Sequence, residues 1–538
     1  MKRILQVFYI LFSALVMVLA IPNELYNFGS PILGLFALVP FYATLSQTKT
    51  FKESALLTAL HFSIVTLLSN FWLGYFRDFA VFTIGGPVLV YIGMGICFGC
   101  FFHGLFIFSR NSGYAVVLRI FLFASLWTLW EWSKSIGFLA FPWGTLIMTS
   151  YRWKLLTQIV DITGTWGISF LFALFAALTG EGLMLLRSYT TVTKTQLLSY
   201  RNCACFALIL FCVCHFYGLY QYGKKRVQTK EADVVLVQQN ADPWSSGSDL
   251  PTIHISEKLT QKAVKKAKTR PDLVCWSEAV LNYALPDSLF YYAVKPEEKP
   301  LISFINETDI PFLIGAPVTI NKEKGQFSNS AVYFDKNGIM QDYYSKIQLV
   351  PFAEYIPLSE YEWVQNLMET LVGFSDGWFP GTAYTVFNLP LKNQKTLVFS
   401  VPICFEDAFP AVCRKLFKNG SEVFFNITND SWSKTASAEY QHCVIASFRA
   451  QEFRTTLVRA TNSGYTVVTD PAGKIVAELP LFNQTGECVK VPVFERQMTF
   501  YCIAGDWLPE MLLVLVFIFW IGVSVGVRDN DRKRKADK

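Results

Sequence analysis

The chain is partitioned by its own hydropathy. Apolar runs of membrane-spanning length lie at about residues 4–21, 55–76, 88–108, 115–132, 165–186, 203–222 and 507–527, and they leave one long polar block, residues 223–506. A helix needs about 20 apolar residues to cross a bilayer core, so each run reads as a span. A shorter run, 31–45, makes an eighth. The overall content agrees, with 52% hydrophobic residues, 48 Phe and a mean hydropathy of +0.33, far more apolar surface than a soluble domain of this length can bury. The expected architecture is an α-helical transmembrane bundle over residues 1–222, a polar domain over 223–506, and a C-terminal transmembrane helix with a basic tail over 507–538.

The first run follows Met1, Lys2 and Arg3 and ends at Val18, Leu19 and Ala20, which resembles a signal peptide. A second apolar run follows almost at once, so an uncleaved anchor is the better reading. The apolar stretch 137–149 is short and contains Pro142, which suits a re-entrant or interfacial segment.

Short-loop Lys and Arg residues set orientation. With the N-terminus in the cytoplasm, the inside loops hold Lys49 and Lys52, then Arg110 and Arg119, then Arg187, Lys194 and Arg201, and the tail adds Arg528, Arg532, Lys533, Arg534, Lys535 and Lys538. The outside loops are poorer, apart from the one with Lys134, Arg152 and Lys154. Eight spans then put both termini inside and the polar block outside.

Within that block, strand-like runs at 232–240, 272–278, 310–318, 330–335, 395–407, 422–430 and 464–471 alternate with helical patterns at 256–269 and 438–454. Several strands are continuous apolar runs, as expected when helices cover the sheet faces. This predicts an α/β sandwich.

Three residues at the ends of such runs carry chemistry: Glu278 after Leu273-Val274-Cys275-Trp276, Lys346 after Tyr343-Tyr344, and Cys404 where Leu397–Val401 breaks and a short helix through 411–417 begins. Taken alone, each is as readily a structural residue: a buried thiol, a strand-end carboxylate, a snorkelling lysine. A thiol at a helix start is also favoured as thiolate. Thiol, carboxylate and ammonium together are the set that thioester chemistry needs.

The order Glu, Lys, Cys, with LVQQN near the domain start, PFAEYIP, ICFED, and NDSW followed by a helix and RATNSG, resembles the nitrilase superfamily, whose fold is an αββα sandwich. With the apolar bundle before it and the single span after it, nearly the whole chain resembles the apolipoprotein N-acyltransferases. The resemblance implies Glu278 as proton acceptor, Lys346 as oxyanion-stabilising cation and Cys404 as nucleophile. Glu354 and Glu406 fall on supporting carboxylates, the Phe405 N–H on a backbone oxyanion donor, and Trp244 on an aromatic near the substrate entrance. Phe405, Ala353 and Ser433 stand where Tyr, Gly and an aromatic are expected.

The implied reaction moves an acyl chain from a membrane phospholipid to Cys404 and then to the amino-terminal amine of a diacylglyceryl-cysteine apolipoprotein, by ping-pong kinetics and without a cofactor. Its place is the bacterial inner membrane, with the catalytic domain periplasmic. Aromatic residues in 360–378, with Trp363, Phe374 and Trp378, are expected to form a lid that shields the thioester from water. The alternatives are a membrane-anchored carbon-nitrogen hydrolase and a non-enzymatic transporter or scaffold. A scarcity of paired intramembrane charges, with Glu181 nearly alone, argues against a transporter. His61, His103, His215, His254 and His442 are scattered, so no metal site is expected. The basic tail reflects topology rather than nucleic-acid binding, and no Walker A or Rossmann glycine pattern is present. If the compartment is oxidising, some of Cys275, Cys413, Cys443, Cys488 and Cys502 could pair, while Cys404 must stay free.

Overall fold

The computed structural model describes residues 2–76, 80–109, 115–137, 139–187, 190, 192–242, 247–356, 358–359, 361–372 and 377–536. Two compact units emerge: residues 1–71, 84–222 and 504–538 form one, and residues 72–83 and 223–503 the other.

Among the described residues, six helices are long and apolar enough to cross a membrane: Arg3–Ala20, Phe51–Ser69, Ala80–Ile107, Ala115–Ser133, Trp166–Arg187 and Lys194–Gly223. The C-terminal helix is apolar over Trp507–Gly522. The run at 31–45 folds as two short helices, Pro31–Ala37 and Val39–Leu45. Pro40 at the start of the second lacks an N–H and cannot continue the first.

Two expectations about charge need correction. Arg119 is not a loop residue; it lies in the helix Ala115–Ser133, and its Nε is 2.6 Å from Glu181 Oε1. Tyr42 donates to the same carboxylate at 2.6 Å. Intramembrane charge is therefore paired, as the cost of an isolated ion in an apolar bundle requires. The irregular stretch around 139–149 shows why Glu131 and Lys134 sit nearby. Glu131 accepts from Leu146 N at 2.7 Å and Trp127 Nε1 at 2.9 Å, and Lys134 donates to the Trp143 carbonyl. Side chains here satisfy the backbone that a helix would have satisfied by itself.

The second unit contains twelve strands: β1 Gln228–Gln238, β2 Leu273–Cys275, β3 Phe312–Asn321, β4 Gln326–Phe334, β5 Met340–Ser345, β6 Phe387–Pro390, β7 Thr396–Ser400, β8 Val423–Thr428, β9 Thr456–Thr461, β10 Val467–Thr469, β11 Ile475–Glu478 and β12 Thr485–Phe494. They form two six-stranded sheets in the orders β12-β1-β2-β3-β4-β5 and β11-β10-β9-β8-β7-β6. Each sheet has a parallel centre, β1-β2-β3 and β7-β8-β9, flanked by antiparallel strands.

The sheets face each other through apolar side chains; Tyr333 of β4 lies 6.0 Å from Phe387 of β6 and 6.1 Å from Phe399 of β7, ring centre to ring centre. Helices cover the outer faces: Leu250–Lys266 packs on β1 and β12, and Ala436–Phe453 on β9. The α/β sandwich is as expected, and the parallel centres explain the unbroken apolar runs of β1, β3 and β8. Burying such a strand residue contributes about 1.5–3 kcal/mol per large side chain, which makes the strand ends dependable anchors for polar loops.

Candidate active site

Three strand ends deliver the site. Glu278 follows β2, Lys346 follows β5, and Cys404 lies four residues past β7, where a bridge between Ile403 and Ile427 carries the backbone beyond the sheet edge. Close approach fixes the first of these. Gly315 of β3 packs so tightly on the loop after β2 that an added Cβ would meet Ala279 N at 2.5 Å and Glu278 Cα at 2.6 Å. The loop is tied there by Val280 N and Leu281 N, which donate to the Gly315 carbonyl at 3.0 and 3.1 Å. Each site segment also holds a non-glycine residue in the left-handed region: Ala279 (φ 54°), Phe352 (φ 63°) and Cys404 (φ 48°). Such conformations cost of order 1–3 kcal/mol and persist only where the surroundings impose them.

Glu278, Lys346 and Glu354 form one buried network. Lys346, fully buried, places Nζ 2.7 Å from Glu354 Oε1 and 3.4 Å from Glu278 Oε1. Asn329 of β4 bridges the two carboxylates, donating to Glu278 Oε1 at 2.7 Å and Glu354 Oε1 at 3.2 Å. The second oxygens accept from backbone: Asn429 N to Glu278 Oε2 at 2.8 Å, and Val350 N to Glu354 Oε2 at 2.8 Å. The segment after residue 376 laces the loops together, with Trp378 N donating to the Glu354 carbonyl and Gly381 N to that of Lys346.

Electrostatics give each group a state. Burial works against charge on Lys346, but Glu354, Glu278 and Cys404 outweigh it and hold the ammonium well above its ordinary range. Burial, and after it the Glu278 carboxylate, push the Cys404 thiol well up, with Lys346 pulling the other way. Burial and the Glu278 charge thus outweigh the helix-end effect that favours thiolate. Cys404 opens a short 3-10 turn, Cys404–Ala408, and the expected helix follows it as Pro410–Lys418. At rest the Cys404 thiol is held protonated, and the Glu278 carboxylate is the chief charge that keeps it so.

Glu406 lies beneath this group and is completely buried. Its Oε1 accepts from Tyr344 Oη (2.9 Å), Ile347 N (2.7 Å) and Gln348 N (3.0 Å), and its Oε2 from Ile403 N (2.7 Å). One carboxylate thus ties the Lys346 segment to the Cys404 segment. Burial raises it to about 7 despite those donors.

The three sequence departures are accommodated. The Phe405 ring packs on Phe409 at 4.8 Å. The left-handed residue of the PFAEYIP segment is Phe352, so Ala353 needs no glycine. Ser433 accepts from Thr435 N at 3.4 Å, and the neighbouring Trp432 packs on Trp72 and Phe76 at 5.4 and 3.9 Å. Trp244 and Phe374 lie outside the described residues. Of the expected lid, the helix Glu362–Val372 buries Val364 and Met368 with Ile356, against Phe82, while Trp363 is 64% exposed. None of the twelve cysteines, all among the described residues, is in a disulfide.

Sequence reasoning missed Asn329, which sits unmarked in β4, and a cluster of His442, Asp407, Asp430 and Arg459 beside Cys404. The words ICFED, NDSW and RATNSG contain three of its four members, but only folding brings His442 to them.

Comparison with known proteins adds the family. Residues 234–491 match the carbon-nitrogen hydrolase model, and residues 13–178 match the apolipoprotein N-acyltransferase N-terminal domain. The chain is 44% identical to apolipoprotein N-acyltransferase 2 of Treponema denticola over 96% of its own length and 97% of the relative's. It is 39% identical to the Treponema pallidum protein of the same name, covering 96% and 94% of the two chains. It is 34% identical to the Borreliella burgdorferi apolipoprotein N-acyltransferase, covering 95% and 94%. Among solved structures it resembles a carbon-nitrogen hydrolase from Helicobacter pylori G27, with 16% identity and a TM-score of 0.35, covering 49% of this chain and 89% of that one. The chain belongs to the apolipoprotein N-acyltransferase family.

Proposed function

We propose that this protein N-acylates apolipoproteins, moving a fatty acyl chain from a membrane phospholipid onto the amino-terminal amine of a diacylglyceryl-cysteine through a thioester on Cys404. The observation that carries this reading is the buried Glu278–Lys346–Glu354 network acting on the Cys404 thiol in a chain that matches its acyltransferase relatives over nearly their full length.

Glu278 accepts the thiol proton as Sγ attacks the ester carbonyl. Lys346 and the Phe405 N–H stabilise the oxyanion, a contribution of about 3 kcal/mol for a well-placed donor. The carbon–oxygen ester bond breaks, and the proton returns from Glu278 to the departing glycerol oxygen. The acceptor amine then attacks the thioester, Glu278 takes its proton, and the Cys404 sulfur leaves and is reprotonated. Ester, thioester and amide lie in a sequence that needs no outside energy or cofactor. Glu354 and Glu406 hold Lys346 and the nucleophile segment in place.

The domain plan is a bundle over residues 1–222, a catalytic domain over 223–506 and a C-terminal helix with its tail over 507–538. In the eight-span topology both termini are cytoplasmic and the catalytic domain is periplasmic. The cations of the exceptional outside loop have local partners, Lys134 at the Trp143 carbonyl and Lys154 over the Tyr151 ring, which lessens their weight in setting topology. The helix Glu362–Val372, with Trp363 exposed, serves as the lid. A carbon-nitrogen hydrolase or a transporter is not favoured, since the full-length relatives carry the acyltransferase name.

The test is transfer of a labelled acyl chain from phospholipid to a synthetic diacylated lipopeptide by the purified full-length protein. Wild type is expected to yield a triacylated amide, and Cys404→Ser none. Release of free fatty acid in place of the amide would return the hydrolase reading.

A further inference from the structure

Beside the thiol lies a group of charges that acyl transfer, as written above, does not use. His442, on the helix Ala436–Phe453, turns its two ring nitrogens to different aspartates. Nδ1 is 2.9 and 3.0 Å from the two oxygens of Asp430, while Nε2 is 3.0 Å from Asp407 Oδ1 and 3.3 Å from the Cys404 carbonyl. Carboxylates and carbonyls only accept, so both nitrogens carry hydrogen and the ring is an imidazolium. Arg459 of β9 completes the group, pairing with Asp407 and lying 3.5 Å from Asp430 Oδ2. Glu439, one turn before His442, is raised well above the usual carboxylate range by burial and then by Asp430, and is neutral. Two anions are thus balanced by two cations.

The group borders the nucleophile. Cys404 Sγ, an Asp430 oxygen and a His442 nitrogen lie within 4.8 Å of one another. These are metal-ligand types, but a ring with both nitrogens protonated has no lone pair for a cation. We propose instead that His442 is a positioning residue for Cys404: its fixed positive charge neutralises Asp430 beside the thiol, and its Nε2 hydrogen holds the Cys404 carbonyl so that the left-handed turn is kept. This rests on the reading of Cys404 as the nucleophile.

The surrounding charges agree. Burial works against protonation of His442, yet Asp430 and Asp407 outweigh it and Arg459, raising it to about 9. Acting on the thiol, Glu278, Asp430 and Glu354 oppose ionisation and Lys346 favours it; Arg459 also senses Cys404. Without the imidazolium, only Arg459, 3.5 Å from Asp430 Oδ2, is left to offset the charge of Asp430 beside the sulfur.

The experiment follows iodoacetamide alkylation of Cys404 against pH, read by peptide mass spectrometry on the full-length protein in detergent, for wild type, His442→Gln, Asp430→Asn and the double variant. Steady-state transfer gives kcat and KM for the phospholipid. His442→Gln is expected to slow alkylation at about pH 7–8, where His442 is charged, by on the order of tenfold, with kcat reduced and donor KM unchanged. Asp430→Asn speeds it, and the double variant returns the rate toward wild type. A His442→Gln rate equal to wild type in folded protein overturns the proposal, as does a double variant that stays with His442→Gln. Should His442→Gln fail to fold, Asp430→Asn decides alone, and a rate at or below wild type overturns it. Failure of wild type to acylate Cys404 from any phospholipid would instead refute the nucleophile reading, which the alkylation series does not depend on.

Discussion

Lys346 Nζ sits 2.7 Å from Glu354 Oε1 and only 3.4 Å from Glu278 Oε1. The shorter contact makes Glu354 the chief partner of the ammonium and leaves Glu278 the freer base. Glu354→Gln keeps the shape but removes that charge, so Lys346 should turn fully to Glu278 and blunt it as a proton acceptor. The expected outcome is a loss of about 10²-fold in kcat, with folding retained, measured by steady-state transfer to a lipopeptide.

Gly315 is the contact surface for the Glu278 backbone. In Gly315→Ala the new methyl would stand 2.6 Å from Glu278 Cα, and the loop must move. A displacement near 1 Å in a reacting group costs about 10²-fold in rate, and overpacking costs about 1–3 kcal/mol in stability. Lowered kcat with little change in phospholipid KM is predicted, since the neighbours a methyl would displace are the backbone of Ser277, Glu278 and Ala279.

Glu406→Gln tests the link between the Lys346 and Cys404 segments. Glutamine can still accept from Tyr344, Ile347 and Gln348, but its amide turns a donor toward Ile403 N–H, where Oε2 now accepts at 2.7 Å. Leaving that buried N–H unpaired costs about 1–3 kcal/mol. Thermal unfolding should fall accordingly, together with activity.

The pH dependence of stability follows from His442. Its folded value is raised from 6.5 to about 9, so the unfolded chain releases this proton first as pH rises. The stabilising contribution is complete below pH 6.5 and is lost as pH climbs through 9. The difference in melting temperature between wild type and His442→Gln should therefore be largest below pH 6.5 and shrink at pH 9 and above; a difference that grows with pH contradicts the assignment.

What the sequence made legible follows from range. The apolar runs, the central strands and the words around Glu278, Lys346 and Cys404 are local patterns, and the structure brings those residues into one network. The edge strand β12 was not legible, because its burial alternates irregularly along Thr485–Phe494 and its partner β1 lies more than 200 residues earlier. Arg119 and Glu181, 62 residues apart, form a pair that neither helix announces alone. His442 is likewise one turn of a helix that is buried nearly all round, with no amphipathic pattern to mark it. The helix after Cys404, Pro410–Lys418, was legible, but its weak terminal dipole does not set the state of the thiol, since burial and the Glu278 charge outweigh it.

The most direct test of the central claim is intact-mass spectrometry of the full-length protein incubated with phospholipid and no acceptor, wild type beside Cys404→Ser. The account predicts a hydroxylamine-labile fatty-acyl adduct on wild type alone, located on Cys404 and discharged when a diacylated lipopeptide is added. An adduct that persists in Cys404→Ser, or folded wild-type protein that forms none with any phospholipid, would contradict it.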